Sequence, residues 1–144
     1  PGYARLLTGR DPVHAGTTTI NNDWLLAASR ENRLWLNDRV ARAMRLQDGD
    51  AVFLENLQGV RSFFPVRLLV TPGIRPDCVF LAHGFGCFSS RLGRGFGRGL
   101  PDGAMMPAGE GLHTTFVRLI RRGQPLDIPM LDRPPAELPV AGQG

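Results

Sequence analysis

The sequence predicts a mainly β fold with small helices, closed into a barrel. Three observations carry this. Apolar residues fall in short alternating or continuous runs of strand length. Only two stretches carry the cap and apolar stripe of a helix, and both are short. Turn residues punctuate the runs throughout, with 18 Gly and 12 Pro in 144 residues. Strands that alternate with long helices would give a parallel βαβ sheet, and that pattern is missing. The length suits one domain with a real core and is too short for two. With 42% apolar and 21% charged residues the composition is that of a folded globular chain. No apolar run approaches the roughly 18–20 residues that span a bilayer, so direct membrane insertion is not expected.

Taken in order, Tyr3 to Leu7 is a short strand that runs into a Thr8-Gly9-Arg10 turn. Asp11 to Ile20 is rich in Gly and Thr, has no period and reads as a loop. Asn21 or Asn22 caps a helix from about Asp23 to Ser29, with Asp23 well placed in its first turn. Arg33 to Leu36 is the next strand. Asn37 caps a second helix, Asp38 to Leu46, with Val40, Ala43 and Met44 as its apolar stripe and Arg39, Arg42 and Arg45 outward. Gln47-Asp48-Gly49-Asp50 is a tight turn. Ala51 to Glu55, the Leu57-Gln58-Gly59 turn and a long strand Val60 to Val70, bent near Pro65, form a hairpin. Thr71-Pro72-Gly73 turns the chain into an apolar strand, Asp77 to Ala82. From His83 to Gly111 the pattern is glycine, arginine and loop, and His113 to Arg121 is a closing strand. Residues 124–144 are Pro-rich and aperiodic, so a barrel over 1–123 followed by a disordered tail is expected. Each half runs strand, loop, strand, which suits a pseudo-duplicated barrel.

All 17 basic residues are Arg, and the net charge is +4. The guanidinium fork grips phosphate bidentately, so a basic surface built this way suits phosphorylated ligands. Two cysteines, Cys78 and Cys87, and three histidines, His14, His83 and His113, lack the spacing of a metal site, and none is expected. Cys78 lies in an apolar strand and reads as core; Cys87 follows a glycine turn. The opening Pro1-Gly2-Tyr3 has no initiator Met or signal pattern and reads as a cut inside a longer polypeptide.

Four segments carry chemistry. In Leu6 to Leu26, Thr8, Gly9 and Arg10 bring backbone N–H groups, a hydroxyl and a guanidinium to one point, which suits phosphate oxygens. Thr17, Thr18 and Thr19 add hydroxyls, and Asn21 and Asn22 can read the edge of a heterocycle. The same residues also serve as turn formers, strand residues and caps. In Ala82 to Gly86, Gly84 and Gly86 flank Phe85 and let backbone approach a flat ligand, while His83 can hydrogen-bond or stack. A glycine turn after a strand is the plainer reading. Arg91 to Gly99 resembles an Arg-Gly nucleic-acid segment, or a surface loop. In Gly109 to Arg118, Glu110 and His113 can pair as acid and base, but no nucleophile accompanies them, so no catalytic residue is expected.

Together these segments resemble the molybdopterin dinucleotide-binding domain of the dimethyl-sulfoxide-reductase superfamily of molybdopterin oxidoreductases. The resemblance covers about Tyr3 to Arg122. It rests on LLTGRDPVHAGTTTINNDWLL, LWLNDRVARAMRLQDGDAVFLENLQG, VRLLVTPGIRPDCVFLAHGFG and GEGLHTTFVRLIRR. The wording TGRDPVH and TINN is closest to the polysulfide, thiosulfate and tetrathionate reductase branch, with formate dehydrogenase-like members close behind. Asp23 stands where the family usually has Pro, and residues 97–109 are shorter and poorer in Asn than its late loop.

The resemblance implies a six-stranded double-psi β-barrel that covers molybdopterin guanine dinucleotide (bis-MGD, with Mo or W). By matching positions, Thr8, Gly9, Arg10 and His14 line one cofactor loop, and Thr17, Thr18, Asn21 and Asn22 follow on the same wall. His83, Gly84 and Gly86 form a second approach, and His113 and Thr114 a third. It further implies catalytic domains on the same parent polypeptide that hold the metal ligand and any iron–sulfur site. Iron–sulfur and membrane-anchor subunits are implied partners, and nucleic acid is not. The compartment, bacterial cytoplasm or periplasm, would follow from a signal upstream. Two other functions fit the sequence: a double-psi adaptor that binds a protein, and a basic nucleic-acid module.

Overall fold

Alternation of apolar and polar residues sets the strands. In β1 (Ala4–Arg10), Ala4 and Leu6 point inward while Arg5 and Leu7 point out. The structure is a computed structural model that describes residues 2–14, 19, 21–86, 98–105 and 115–131. After β1 come α1 (Asp23–Ala28), β2 (Leu34–Asn37), α2 (Asp38–Ala43), β3 (Ala51–Asn56), β4 (Val66–Thr71) and β5 (Cys78–His83). A 3-10 turn at Asp102–Met105, β6 (Thr115–Arg121) and β7 (Gln124–Leu126) complete the order.

The strands neighbour one another in the order β1-β5-β2-β4-β3-β6, and β6 returns to pair with β1, which closes a six-stranded barrel. β7 pairs with the second half of β6, along the edge that β1 occupies over its first half. β1 and β5 are parallel, as are β2 and β4, and the remaining pairs are antiparallel. Two parallel pairs within a closed six-stranded barrel match the double-psi arrangement. The inward residues are mostly leucine: Leu6, Leu34, Leu36, Leu54, Leu68, Leu81 and Leu119 are all fully buried. Each contributes about 1.5–3 kcal/mol by leaving water. Cys78 is buried as well, at the start of β5 and in register with Arg5, and burial pushes its thiol pKa up.

Several boundaries differ from the sequence reading. Thr8-Gly9-Arg10 is the end of β1, held in ladder register with Leu81, Ala82 and His83. The strand expected from Val60 starts only at Val66. Over the preceding residues the ladder to β3 is reduced to one isolated bridge, Glu55 to Arg61, beside which the Ser62 N–H donates to the Leu54 carbonyl at 2.8 Å and the Ser62 hydroxyl accepts the Leu54 N–H at 3.0 Å. Asn56 explains this: its Oδ1 accepts the N–H groups of Gln58 and Val60, and its own N–H donates to the Val60 carbonyl. Those bonds fold the loop on itself, and Pro65 has no N–H to offer a ladder.

Helix α2 stops at Ala43 because Arg45 adopts φ 54°, and its buried face is Val40 and Ala41, with Ala43 exposed. The barrel also runs past Gly123. Arg122-Gly123 makes a two-residue hairpin turn into β7, and Ile128 bridges to Gly2. Of the segment expected as a tail, 124–131 belongs to the fold and 132–144 lies outside the described residues.

Candidate functional site

Parallel pairing of β1 with β5 brings two strand ends to one edge of the barrel. Arg10 and His83 are direct ladder partners there, both exposed, with Gly9 beside Ala82 and Thr8 beside Leu81. The loop after β1 turns at once: Asp11 Oδ1 accepts the N–H of Val13 at 2.7 Å and of His14 at 3.2 Å. Its other oxygen accepts the Ser29 hydroxyl at 3.0 Å, which ties this loop to the end of α1.

His14 makes the second tie. It is buried, its Nε2 meets the Ser29 carbonyl at 2.8 Å, and its Nδ1 lies 3.3 Å from the Thr19 hydroxyl. Its ring meets Phe85 edge-on at 5.4 Å. Both nitrogens are therefore engaged by the chain itself, and His14 shapes the loop from beneath. Leu26 of α1 packs with Ala82 and Phe85, so the helix lies over the ends of β1 and β5. Asn22 caps that helix through Oδ1, which accepts from Trp24 and Leu25. Asn21 precedes it on the exposed side.

Gly84 and Gly86 are buried with φ 101° and 78°. At Gly86 the close neighbour is the chain itself: a Cβ would fall 2.2 Å from Pro101. Its glycine serves the packing of two segments. At Gly9 a Cβ would press the Phe80 ring at 3.0 Å.

Sequence reasoning missed four residues of this edge. Asn32 is buried and fully satisfied: its Nδ2 donates to the Ala82 and Leu100 carbonyls, and its Oδ1 accepts the Leu100 N–H, each at 2.8 Å. Asp102 accepts from His83 Nδ1 at 2.8 Å. Trp35 and Phe80, on β2 and β5, meet edge-on at 5.1 Å and keep part of their surface exposed. Nothing in the local pattern marked Asn32, and Asp102 precedes Gly103 as in an ordinary turn. Outward positions of adjacent strands were the available signal for Trp35 and Phe80.

Beside this edge lies a cleft of about 260 Å³, lined among others by Arg10, Asp11, Asn32, Trp35 and Phe80. A second hollow of about 380 Å³ lies between α1 and Arg98. Of the expected site residues, the β1–β5 pairing sets Thr8, Gly9 and Arg10 beside the end of β5 at His83, with Gly84 and Gly86 just after it; His14 lies in the loop tied to the end of α1, and Asn21 and Asn22 stand at the start of that helix. Thr17, Thr18, His113 and Thr114 lie outside the described residues, as do Cys87, Glu110 and most of the Arg-Gly run. Among the described residues no group of three or more metal-binding side chains converges. No helix among the described residues is long and apolar enough to cross a membrane.

The fold is a closed β-barrel of the double-psi class, with an arginine and an imidazole paired at the ends of one parallel strand pair and a part-aromatic cleft beside them. Residues 4–109 match the family model described as "Molydopterin dinucleotide binding domain". The chain belongs to this molybdopterin dinucleotide-binding domain family. It is 30% identical over 121 residues to the thiosulfate reductase molybdopterin-containing subunit PhsA of Salmonella typhimurium. That match covers 80% of this chain and 16% of the relative. Among solved structures, acetylene hydratase from Pelobacter acetylenicus shares the fold, with a TM-score of 0.65 at 16% identity. There the match covers 82% of this chain and 18% of the other.

Proposed function

We propose that this chain is the domain that holds molybdopterin guanine dinucleotide for a molybdenum or tungsten oxidoreductase of the polysulfide, thiosulfate or tetrathionate reductase branch. A formate dehydrogenase-like parent is the near variant. The single observation behind the site assignment is the pairing of Arg10 with His83 at the parallel strand ends, within a family-matched barrel. The kinship with a thiosulfate reductase subunit supports the branch.

The residues present fit such a group. Arg10 is exposed and lines the cleft, where its guanidinium can clamp phosphate. The part-exposed faces of Trp35 and Phe80 suit a flat heterocycle. Asn21 and Asn22, at the start of the overlying helix, supply edge-reading amides. When bound, the cofactor and its metal supply the redox chemistry, and the protein binds and orients it. The chain spans about a sixth of the relative's length. The metal ligand, any iron–sulfur cysteines and the remaining cradle are assigned to other parts of the parent polypeptide.

Titration of the isotope-labelled chain with guanosine diphosphate, followed by NMR, tests the reading. Shifts concentrated at Arg10, Asn21, Asn22 and His83 are expected, with weak affinity because one wall of the cradle is elsewhere. Shifts confined to the Arg-Gly run, or to the hollow at the other end near Asn37 and Arg75, contradict it.

A further inference from the structure

His83 ends β5 with its side chain 59% exposed, while the Asp102 carboxylate against its Nδ1 is only 11% exposed. A carboxylate accepts and does not donate, so the proton between them sits on Nδ1. In the neutral ring the lone pair is then on Nε2, the nitrogen turned away from Asp102.

We propose that Asp102 is a positioning residue that holds His83 in the Nδ1–H tautomer, so that Nε2 meets the ligand as a hydrogen-bond acceptor. This rests on the cofactor-binding reading and refines it. The ligand group that Nε2 recognises is an N–H on the edge of a purine- or pterin-like heterocycle. Arg10, its ladder partner, supplies the charge for phosphate. The two strand ends thereby divide recognition: β1 reads charge, and β5 reads a donor edge.

A simple tether does not account for the pair. The segment from Arg98 to Pro101 is already fixed to β5 by the three hydrogen bonds of Asn32 and by the Gly86 N–H to the Arg98 carbonyl at 2.9 Å. Holding it once more needs no charge. A neutral hydroxyl or amide would do so without the desolvation cost of a nearly buried carboxylate. A carboxylate earns its place by fixing which imidazole nitrogen carries the proton.

The test uses the 15N-labelled full chain and the imidazole nitrogen shifts of His83, read with the ring neutral, with guanosine diphosphate as probe. The expected spectrum shows a protonated Nδ1 and a bare Nε2, and the probe moves Nε2. In Asp102→Ala the tautomer shifts toward Nε2–H and probe affinity falls roughly three- to tenfold, the net worth of one hydrogen bond. Asp102→Asn, which keeps the shape but removes the charge, guards against loss of folding and is expected to lose affinity likewise. A wild-type His83 protonated on Nε2 overturns the positioning role. The expected tautomer with an unmoved Nε2, while Arg10 and Asn21 respond, overturns the acceptor role and leaves the cofactor reading standing. No response anywhere along this edge overturns both, and only the tautomer assignment survives.

Discussion

Glu55 shows how a buried charge is held in this barrel. It lies on β3, nearly inaccessible, with Arg61 Nε 2.6 Å from one carboxylate oxygen and Arg118 Nε 2.8 Å from the other. The hydrogen bonds of Arg61, and then of Arg118, hold its carboxyl below the ordinary value of 4.5. A depressed folded pKa means that the unfolded chain takes up the proton first as the medium is acidified. The stabilisation is therefore complete above about pH 4.5 and fades as pH falls through the folded pKa. Glu55→Gln is expected to be less stable than the parent at pH 7, where two arginines lose their counter-charge, and the gap is expected to close in acid. Urea midpoints at pH 7 and pH 3 measure this. Equal midpoints at both pH values would show that the triad contributes nothing.

At the scale of elements, the ends of α2 and β6 both use arginine where the backbone favours glycine. Arg45 has φ 54°; its N–H donates to the Arg42 carbonyl at 3.1 Å, and the Leu46 N–H donates to the Ala41 carbonyl at 2.8 Å. This is the Schellman closure of a helix, with Arg45 in the left-handed position. The buried Leu46 then packs into the core just past the helix end. Arg45→Gly relieves the left-handed strain but adds freedom to the unfolded chain, so a net gain of about 0.5–1 kcal/mol is expected. Thermal melting checks it, and a lowered Tm would show that the arginine side chain contributes more than its backbone costs. Arg122, with φ 51° before Gly123 at φ 80°, makes the same compromise in the β6–β7 turn.

For the whole molecule, closure is the decisive event. β1 pairs with β6 across most of the chain length, and Leu6 sits where that seam meets the core, in register with both Val79 and Thr115. Removing its side chain opens a cavity at a point that no local segment can relax to fill. Leu6→Ala is expected to cost about 2–5 kcal/mol, a large part of the roughly 5–15 kcal/mol that stabilises a domain. Far-UV and near-UV signals are expected to shift together in denaturant, since a closed barrel has no separable half. A split into two transitions would show that the halves fold independently.

The sequence by itself determined the strand content, the two capped helices, the buried Cys78 and the family, because these are written in local periodicity, capping residues and motif spacing. Asn37 is an instance: its side chain accepts the Arg39 N–H and caps α2 as the pattern required. Which strands become neighbours was not legible. Arg10 and His83 are far apart in the chain, and only parallel pairing makes them partners. The same holds for Asn32, whose three bonds reach Ala82 and Leu100, and for Asp102 against His83. Buried polar groups must find partners wherever the closed barrel places them, so their roles are fixed by tertiary proximity, which no local pattern encodes.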